Sequence, residues 1–224
     1  MSYAYVAARG AEAWLERGLD DRPGTVGSLV PPAERVLWIR HPAYRADGDT
    51  LNPITWAEAV PGAGTGPAVQ FAELVHDLDY DNGPPDGARW SVGPLRGSVP
   101  VEVVRRLLAA VGPLSDAHWC FGVWAGFSCV APPRPELQSR FSVGSRHYHL
   151  LEGDQDDVLS SLSELNWQTP NLWWDSTRSW LIHCDVDRSD TFFACGAGLA
   201  ERAEHQLGGL EHANVARTDR LYDD

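Results

Sequence analysis

Two apolar segments in the C-terminal third, SWLIHCDV (179–186) and TFFAC (191–195), constrain the fold more than any other feature of the chain. Along the first segment, one set of alternate side chains is apolar and the other is mixed: Trp180, Ile182, Cys184 and Val186 against Leu181, His183, Asp185 and Asp187. A strand with this pattern has one face in a core and one partly polar face. We therefore predict a β-hairpin with its turn at Asp187–Asp190.

The rest of the chain alternates between helical and strand patterns. Further strands are predicted at 35–44, at 139–151 and as a pair broken near Gly126 within 117–130; helices are predicted at 3–18, 52–60, 98–112, 154–165 and 197–210. Segment 66–75 fits a short helix or a strand. Asn52 and Ser98 are the predicted N-caps of two helices, and Pro100 opens the second of them.

Short helices interleaved with hairpin-linked strands are typical of an α+β fold. We predict a mainly antiparallel sheet with flanking helices, in a single domain that spans residues 1–224. The polar segment 77–97, rich in glycine, proline and aspartate, is predicted to be a flexible loop insertion within that domain.

The charge balance narrows the classes of function. Net charge is −13, and all eighteen basic residues are arginine. The absence of lysine excludes Schiff-base chemistry and P-loop phosphate binding. An acidic chain is also a poor match for nucleic acid, which needs a basic face. The charge favours a basic protein partner, although an acidic surface that serves only solubility is the simpler alternative.

The apolar segments and the cysteines predict the cellular compartment of the protein. No apolar run is long enough to span a membrane, and MSYAYVAARGAEAWLERG lacks the pattern of a signal peptide. We therefore expect a cytoplasmic protein with no membrane association. The four cysteines, Cys120, Cys129, Cys184 and Cys195, lie in apolar stretches without a CxxC pair. Buried thiols are the expectation, with one disulfide or one reactive thiol as the alternatives.

The acidic cluster in LIHCDVDRSD offers two candidate chemistries. It resembles the DxDx[TSV] signature of haloacid-dehalogenase-like phosphotransferases, but too little chain follows it to build that fold. Asp185, Asp187 and Asp190 also have the oxygen ligands that a divalent cation prefers. A hairpin turn explains these residues more simply. We keep Asp185 and Asp187 as candidate binding residues and predict no metal.

Histidines and arginines supply further candidates. His147 and His149 lie two apart, and two such histidines on one strand face can chelate zinc if a third ligand converges with them. Solvent-facing histidines are the simpler expectation. Arg40 and His41 precede a proline and are kept as candidate binding residues, since a cationic pair there suits an anion. His183 and Cys184 are neighbours on one strand, so they face opposite sides and cannot form a nucleophilic pair.

The adjacent tryptophans Trp173 and Trp174 follow the turn QTPN. In an extended segment one of the two must point away from a single core, which predicts an exposed aromatic contact for a partner or a ligand. Packing beneath a neighbouring loop is the alternative. Arg178 lies in the same segment and completes the set of candidate binding residues.

Several segments together resemble a family of uncharacterised actinobacterial proteins. They are VPPAERVLWIRHPAYR, ITWAEAV, GSVPVEVVRRLLAAVG, WCFGVWAGF and TPNLWWDSTRSWLIHCDVDRSDTFFACG, within residues 28–205. The chain departs from that family at Asp175, where a proline is expected, and at 194–196, where a glycine pair is expected. In its size, its acidity and its mixture of helix and sheet, the chain is also loosely similar to bacterial immunity proteins of the SMI1/KNR4 type, which bind and neutralise toxins.

Two functional hypotheses remain. The first is a non-catalytic cytoplasmic binding protein, immunity-like, that engages a basic protein partner through an acidic face and exposed aromatics and needs no cofactor. The alternative is a small-molecule-binding protein or enzyme of secondary metabolism. Its pocket would be lined by tryptophan and served by His41, Asp185 or Asp187. The decisive observation is which polar groups meet at a cavity.

Overall fold

A single large antiparallel sheet organises the chain in the computed structural model, which describes residues 4–5, 10, 12–75, 84–112, 118–127, 140–163 and 167–222. Its strands are β1 (Ala4–Tyr5), β2 (Arg35–Arg40), β5 (Trp119–Trp124), β6 (Arg140–Val143), β7 (Arg146–Gly153), β8 (Leu172–Asp175), β9 (Trp180–His183), β10 (Asp190–Cys195) and β11 (His212–Asn214). Within the described ranges the order is β1-β7-β5-β8-β9-β10-β2-β11, with β6 also paired to β7. Strands β3 (Ala43–Asp47) and β4 (Thr50–Ile54) form a separate hairpin.

Five helices and two 3₁₀ turns connect the described strands. The helices are α1 (Ala13–Gly18), α2 (Trp56–Ala59), α3 (Phe71–Leu74), α4 (Val101–Val111) and α5 (Ala197–Gln206), and the turns are Val26–Ser28 and Gln155–Leu159. Helix α4 is amphipathic, carries Glu102 in its first turn and ends at Gly112, whose φ of 76° suits a residue without a side chain. None of the described helices combines the length and apolar character needed to cross a membrane.

Both faces of the sheet are covered, so alternate residues of each central strand enter two different cores. One core lies beneath α4 and α5 and takes Trp173, Ile182 and Phe193 from the sheet. The other takes Trp174 and Phe192, and is closed by Leu15 of α1, by Val26 and Val30, and by Leu221 near the end of the described chain. A sheet that is buried on both sides reads as almost continuously apolar strands.

The α+β prediction is confirmed, and so is the C-terminal hairpin. Strand β10 pairs antiparallel with β9, placing Phe192 opposite His183 and Cys195 opposite Trp180. The connection between the two strands is displaced from the predicted turn: β9 already ends at His183, and Asp190 belongs to β10 and is fully buried. Helices 98–112 and 197–210 are also present, as α4 and α5.

Two segments form hairpins or turns in place of the elements predicted for them. Segment 139–151 is a hairpin, β6–β7, because Gly144 adopts a φ of 57° and turns the chain back. The described part of segment 154–165, residues 154–163, contains a 3₁₀ turn in place of the predicted helix. The Leu162 amide donates to the Gln168 carbonyl at 2.8 Å, which takes the chain out of helical geometry there.

The helix caps also differ from those predicted. Thr55, not Asn52, caps α2 through a capping box with Glu58, because residues up to Ile54 belong to β4. The Ser98 hydroxyl accepts from the Thr169 amide at 2.9 Å, so Pro100 takes the N-cap position of α4. The ambiguous segment 66–75 contributes helix α3.

Parts of several predictions lie outside the described residues. The predicted helix 3–18 is described only in part, with Ala4–Tyr5 extended against β7 and a helix at Ala13–Gly18. The second strand expected within 117–130 begins beyond the described stretch that ends at 127. Of the loop 77–97, the described part is anchored: Trp90 is buried, and the Tyr44 amide donates to the Val92 carbonyl at 2.8 Å.

Candidate functional site

The tryptophan pair is not exposed, which corrects the prediction of an aromatic contact surface there. Trp173 and Trp174 are 0% and 1% exposed and lie in opposite cores. The indole nitrogen of Trp173 donates to the Pro170 carbonyl at 2.7 Å, and the Trp174 ring meets Phe141 edge-on. The prediction assumed one core, whereas the second core receives the side chain that should have faced solvent.

Arg178 is exposed in the turn between β8 and β9, away from the other candidate residues. Its φ of 60° lies in the left-handed region, and the turn is held by Asp175, whose carboxylate accepts from the Ser179 amide at 2.8 Å. Arg178 borders a small cleft of about 250 Å³ that also contains Trp14 and Trp180. None of the other six candidate residues lines this cleft.

Arg40 and His41 are buried and make contacts within the fold, although the Arg40 Nε has no hydrogen-bond partner among the described residues. The Arg40 guanidinium stacks between the rings of Trp38 and Trp56, at 4.7 and 4.4 Å from their centroids. Its Nη2 donates to the Gly64 carbonyl at 2.5 Å. These contacts tie the β3–β4 region to the sheet, so the geometry favours a structural role over anion binding.

His41 has a partner for each ring nitrogen. Nδ1 lies 2.6 Å from the Leu95 carbonyl, which can only accept, so Nδ1 carries the proton. Nε2 therefore accepts from the Thr191 hydroxyl at 2.8 Å. Burial lowers the pKa of His41 to about 4, against the Leu95 bond and the charge of Asp190, which raise it. The ring is neutral and fully bonded at neutral pH.

A buried network next to His41 consists of Trp38, Gln70, Arg188 and Asp190. The Arg188 Nε donates to Asp190 Oδ1 at 2.8 Å, and its Nη2 donates to Oδ2 at 2.5 Å. Trp38 and Gln70 also donate to Oδ2, at 2.8 and 3.1 Å. Arg188 and Asp190 are 1% and 0% exposed. A single charge buried this deeply would be energetically costly, and here each side chain neutralises the charge of the other.

Asp185 and Asp187 meet at Arg146, at the start of β7. The Arg146 Nε donates to Asp185 Oδ2 at 3.1 Å, and its Nη2 donates to Asp187. The Asp187 amide donates to Asp185 Oδ1 at 2.9 Å, which is the Asx-type turn expected after β9. Although burial raises the pKa of Asp187, the bonds and charges of Arg146 and Arg96 lower it overall.

A groove of about 600 Å³ lies beside this ion cluster. Its walls come from four stretches: residues 16–29, the β6–β7 hairpin at 142–148, the end of β9 at 183–185, and Leu221 with Tyr222. We call it the acidic groove, because four carboxylates line it against the single guanidinium of Arg146: Glu16, Asp20, Asp21 and Asp185.

The carboxylates of the groove differ in their exposure to solvent. We call the exposed Glu16, Asp20 and Asp21 the mouth of the groove, and the buried His183 and Tyr148 its floor. Glu16, Asp20 and Asp21 are exposed, whereas Asp185 is 7% exposed and bonded to Arg146. Asp20 also pairs with Arg217 at 3.2 Å, in a contact whose side chains are 40% and 24% exposed. Such exposed pairs contribute little to stability. The mouth therefore presents carboxylates to solvent and favours a positively charged ligand.

His183 lines this groove and has one ring nitrogen unpartnered. It is 0% exposed, and Nδ1 lies 2.7 Å from the Leu29 carbonyl, which places the proton on Nδ1. Nε2 is buried and has no hydrogen-bond partner among the described residues. Burial lowers the pKa of His183 against the opposing charge of Asp185, so Nε2 carries a free lone pair at neutral pH.

Tyr148 supplies a second unpartnered polar atom to the same groove. The residue is 0% exposed, and its ring stacks on Phe141 with centroids 5.6 Å apart. Its hydroxyl is buried and has no hydrogen-bond partner in the described structure. Burial, with the charge of Asp185, raises the pKa of Tyr148, which keeps the phenol protonated. The groove thus combines His183 and Tyr148 with an acidic mouth.

Thiol and metal chemistry gain no support from the described residues. Cys120, Cys184 and Cys195 are free and buried, as expected, and Cys129 lies outside the described ranges. Burial raises the pKa of Cys120 to about 11 and that of Cys195 to about 12, so neither is an activated thiolate. His147 bonds to the Ser142 hydroxyl at 2.9 Å, and no metal-binding group of three His, Cys, Asp or Glu side chains occurs among the described residues.

Comparisons with protein-family models, with curated proteins and with solved structures find no match to this chain. The groove itself suggests what the site can do: its mouth attracts a cation, and its floor accepts hydrogen bonds. Of the candidate residues from the sequence, only Asp185 lines it. His183 was signalled by the mixed face of β9. Nothing in the sequence singled out Tyr148, since a tyrosine at an apolar strand position looks like core.

Proposed function

We propose that this protein is a non-catalytic binding protein that engages a basic protein partner, with the acidic groove as the place where the partner's cationic side chain enters. The observation that carries the proposal is the set of four carboxylates around one cavity, opposed by a guanidinium that is already paired. The net charge of −13 attracts the same partner over longer distances. The acidic groove takes the place of the exposed tryptophans in this proposal.

We also propose where in the cell the protein acts. Three free, buried thiols suit a reducing compartment, which supports action in the cytoplasm. An immunity-like role, with a basic toxin as the partner, is the specific form of the proposal that the resemblance to immunity proteins supports.

The test measures binding of a defined cationic probe. Hexa-arginine should bind, and its affinity should fall as ionic strength rises. The double variant Asp20→Asn/Asp21→Asn should weaken binding roughly tenfold, on the scale of two partly screened charges. The control variant Asp47→Asn/Asp49→Asn makes the same charge change at the exposed β3–β4 turn, outside the groove.

The two variants decide between a site and a general charge effect. Equal weakening by both variants would mean that only net charge matters, and the groove would lose its role. Hexa-arginine that fails to bind the wild-type protein at low ionic strength would contradict the proposal outright.

A second candidate function, binding or conversion of a small molecule, is favoured by the polar floor of the groove. His183 and Tyr148 are buried residues of its lining, and a few polar groups in a cavity of this size are typical of ligand sites. The tryptophan-lined pocket expected from the sequence is not this groove, whose lining contains no tryptophan, and His41 lies elsewhere.

A further inference from the structure

Besides its negative charge, the acidic groove offers two buried atoms that can accept hydrogen bonds. The free atoms are the Nε2 of His183 and the hydroxyl oxygen of Tyr148. In the tautomer set by the Leu29 carbonyl, Nε2 accepts and cannot donate. The tyrosine oxygen can accept a hydrogen bond as well. Both atoms therefore suit a ligand group that donates.

A buried polar atom without a partner costs free energy, and a ligand that supplies the missing bond recovers it. An ammonium offers three N–H donors and a guanidinium five, and neither can accept. A quaternary ammonium carries the same charge but has no donor. The floor thus discriminates among cations that the mouth attracts equally.

We propose that the His183–Tyr148 floor makes the acidic groove selective for an N–H-bearing cation, the ammonium or guanidinium end of a lysine or arginine side chain of the partner. This inference rests on the proposed function, because the mouth must first admit a cation. The competing mode is an aromatic cage, in which the faces of Tyr148 and Tyr222 hold any cation through its charge. Tyr222 is 50% exposed at the groove and makes that mode worth testing.

Three probes of equal charge separate the two modes: butylammonium, butylguanidinium and butyltrimethylammonium. Affinities are measured by titration followed through the NMR signals of the groove residues. The floor predicts that the two N–H-bearing probes bind at least roughly tenfold more tightly than the trimethyl probe, the scale of one hydrogen bond to a charged group. Equal affinity for all three, or preference for the trimethyl probe, would overturn selection by hydrogen bonding.

Two variants assign the selectivity to its residues. Tyr148→Phe removes only the hydroxyl. His183→Asn keeps an N–H near the Leu29 carbonyl while removing the Nε2 acceptor. Each should weaken butylguanidinium roughly tenfold and leave butyltrimethylammonium nearly unchanged. Selectivity that survives in both folded variants would contradict the assignment, and the wild-type probe series remains decisive if either variant fails to fold.

Hexa-arginine distinguishes failure of this inference from failure of the proposed function. Binding of the peptide without discrimination among the small probes would overturn the floor and leave the basic partner in place. Discrimination among the small probes without peptide binding would uphold the floor and identify a free amine, in place of a protein partner, as its ligand. No binding by any probe would overturn both.

Discussion

His41 and His183 are both fully buried histidines of the same sheet region, yet their hydrogen bonding differs. In each ring Nδ1 donates to a backbone carbonyl, of Leu95 or of Leu29, and burial lowers each pKa. The Nε2 of His41 accepts from Thr191, whereas that of His183 faces no partner among the described residues. The first histidine is fully bonded within the fold, and the second keeps an acceptor that no described residue satisfies.

The same contrast extends to the neighbours of each histidine. Around His41, the buried network of Trp38, Gln70, Arg188 and Asp190 satisfies its charges internally. Around His183, the Tyr148 hydroxyl is also unpartnered, and the nearby carboxylates lie at an open cavity. Burial alone therefore does not distinguish these two histidines. What distinguishes them is whether the second ring nitrogen is bonded within the fold.

The largest effect is expected from breaking the buried network. Arg188→Met leaves the Asp190 carboxylate buried without its cation and should lower the free energy of unfolding by about 3–5 kcal/mol. Arg105→Met, an exposed position of α4, is the control and should change it by less than about 0.5 kcal/mol. Denaturant unfolding measures both. A loss below about 1 kcal/mol for Arg188→Met would show that Asp190 is not isolated from solvent.

The next effect is the pH dependence of stability that His41 causes. Its pKa is about 4 in the folded protein, against about 6.5 when unfolded, so the unfolded chain binds more protons between those values. Stability should therefore be complete above pH ~6.5 and fall on acidification towards pH 4, by up to about 3 kcal/mol from this residue.

The His41→Gln variant isolates that contribution. It should be less stable than the wild type at neutral pH, because two hydrogen bonds are altered, but its stability should decline less on acidification. Unfolding free energies across this pH range provide the measurement. A slope equal to that of the wild type would mean that the His41 ring titrates as it does in the unfolded chain.

A smaller effect on stability is expected from removing tyrosine hydroxyls, and it should depend on whether the hydroxyl has a hydrogen-bond partner in the fold. Tyr148→Phe removes a hydroxyl without a described partner and should leave the free energy of unfolding within about 0.5 kcal/mol, or raise it. Tyr44→Phe is the matched change, since that hydroxyl donates to Glu102, and should cost about 1.5 kcal/mol or more. Thermal or denaturant unfolding compares the pair. A larger loss for Tyr148→Phe would place its hydroxyl in a bond within the fold.

Local patterns predicted the elements that depend on local chemistry. The alternation of β9 and β10 gave their hairpin, and the first-turn Glu102 and terminal Gly112 gave α4. Predictions were wrong where contacts across a turn or between separate elements decide the structure. The segment after Asp154 makes one 3₁₀ turn because Leu162 pairs with Gln168. Trp174 is buried because α1 and the chain near Leu221 cover the second face of the sheet.

The candidate site was harder to predict than the fold. Asp185 was identified from the acidic cluster that it forms with Asp187 and Asp190, and it does line the acidic groove. Arg40 and His41 were also candidate binding residues, but they make hydrogen bonds within the fold, to the Gly64 carbonyl and the Thr191 hydroxyl respectively. Whether a polar side chain is satisfied depends on partners elsewhere in the chain, 24 positions away for Arg40 and 150 for His41, and a single sequence does not show which of these meet.

The most direct test of the central claim is nitrogen NMR of the histidine rings in isotope-labelled protein at neutral pH, before and after adding butylguanidinium. We predict that the His183 Nε2 is unprotonated, and that its signal shifts on binding while that of His41 stays fixed. A His183 Nε2 that is already protonated in the free protein, or that does not respond when the ligand binds, would contradict the account.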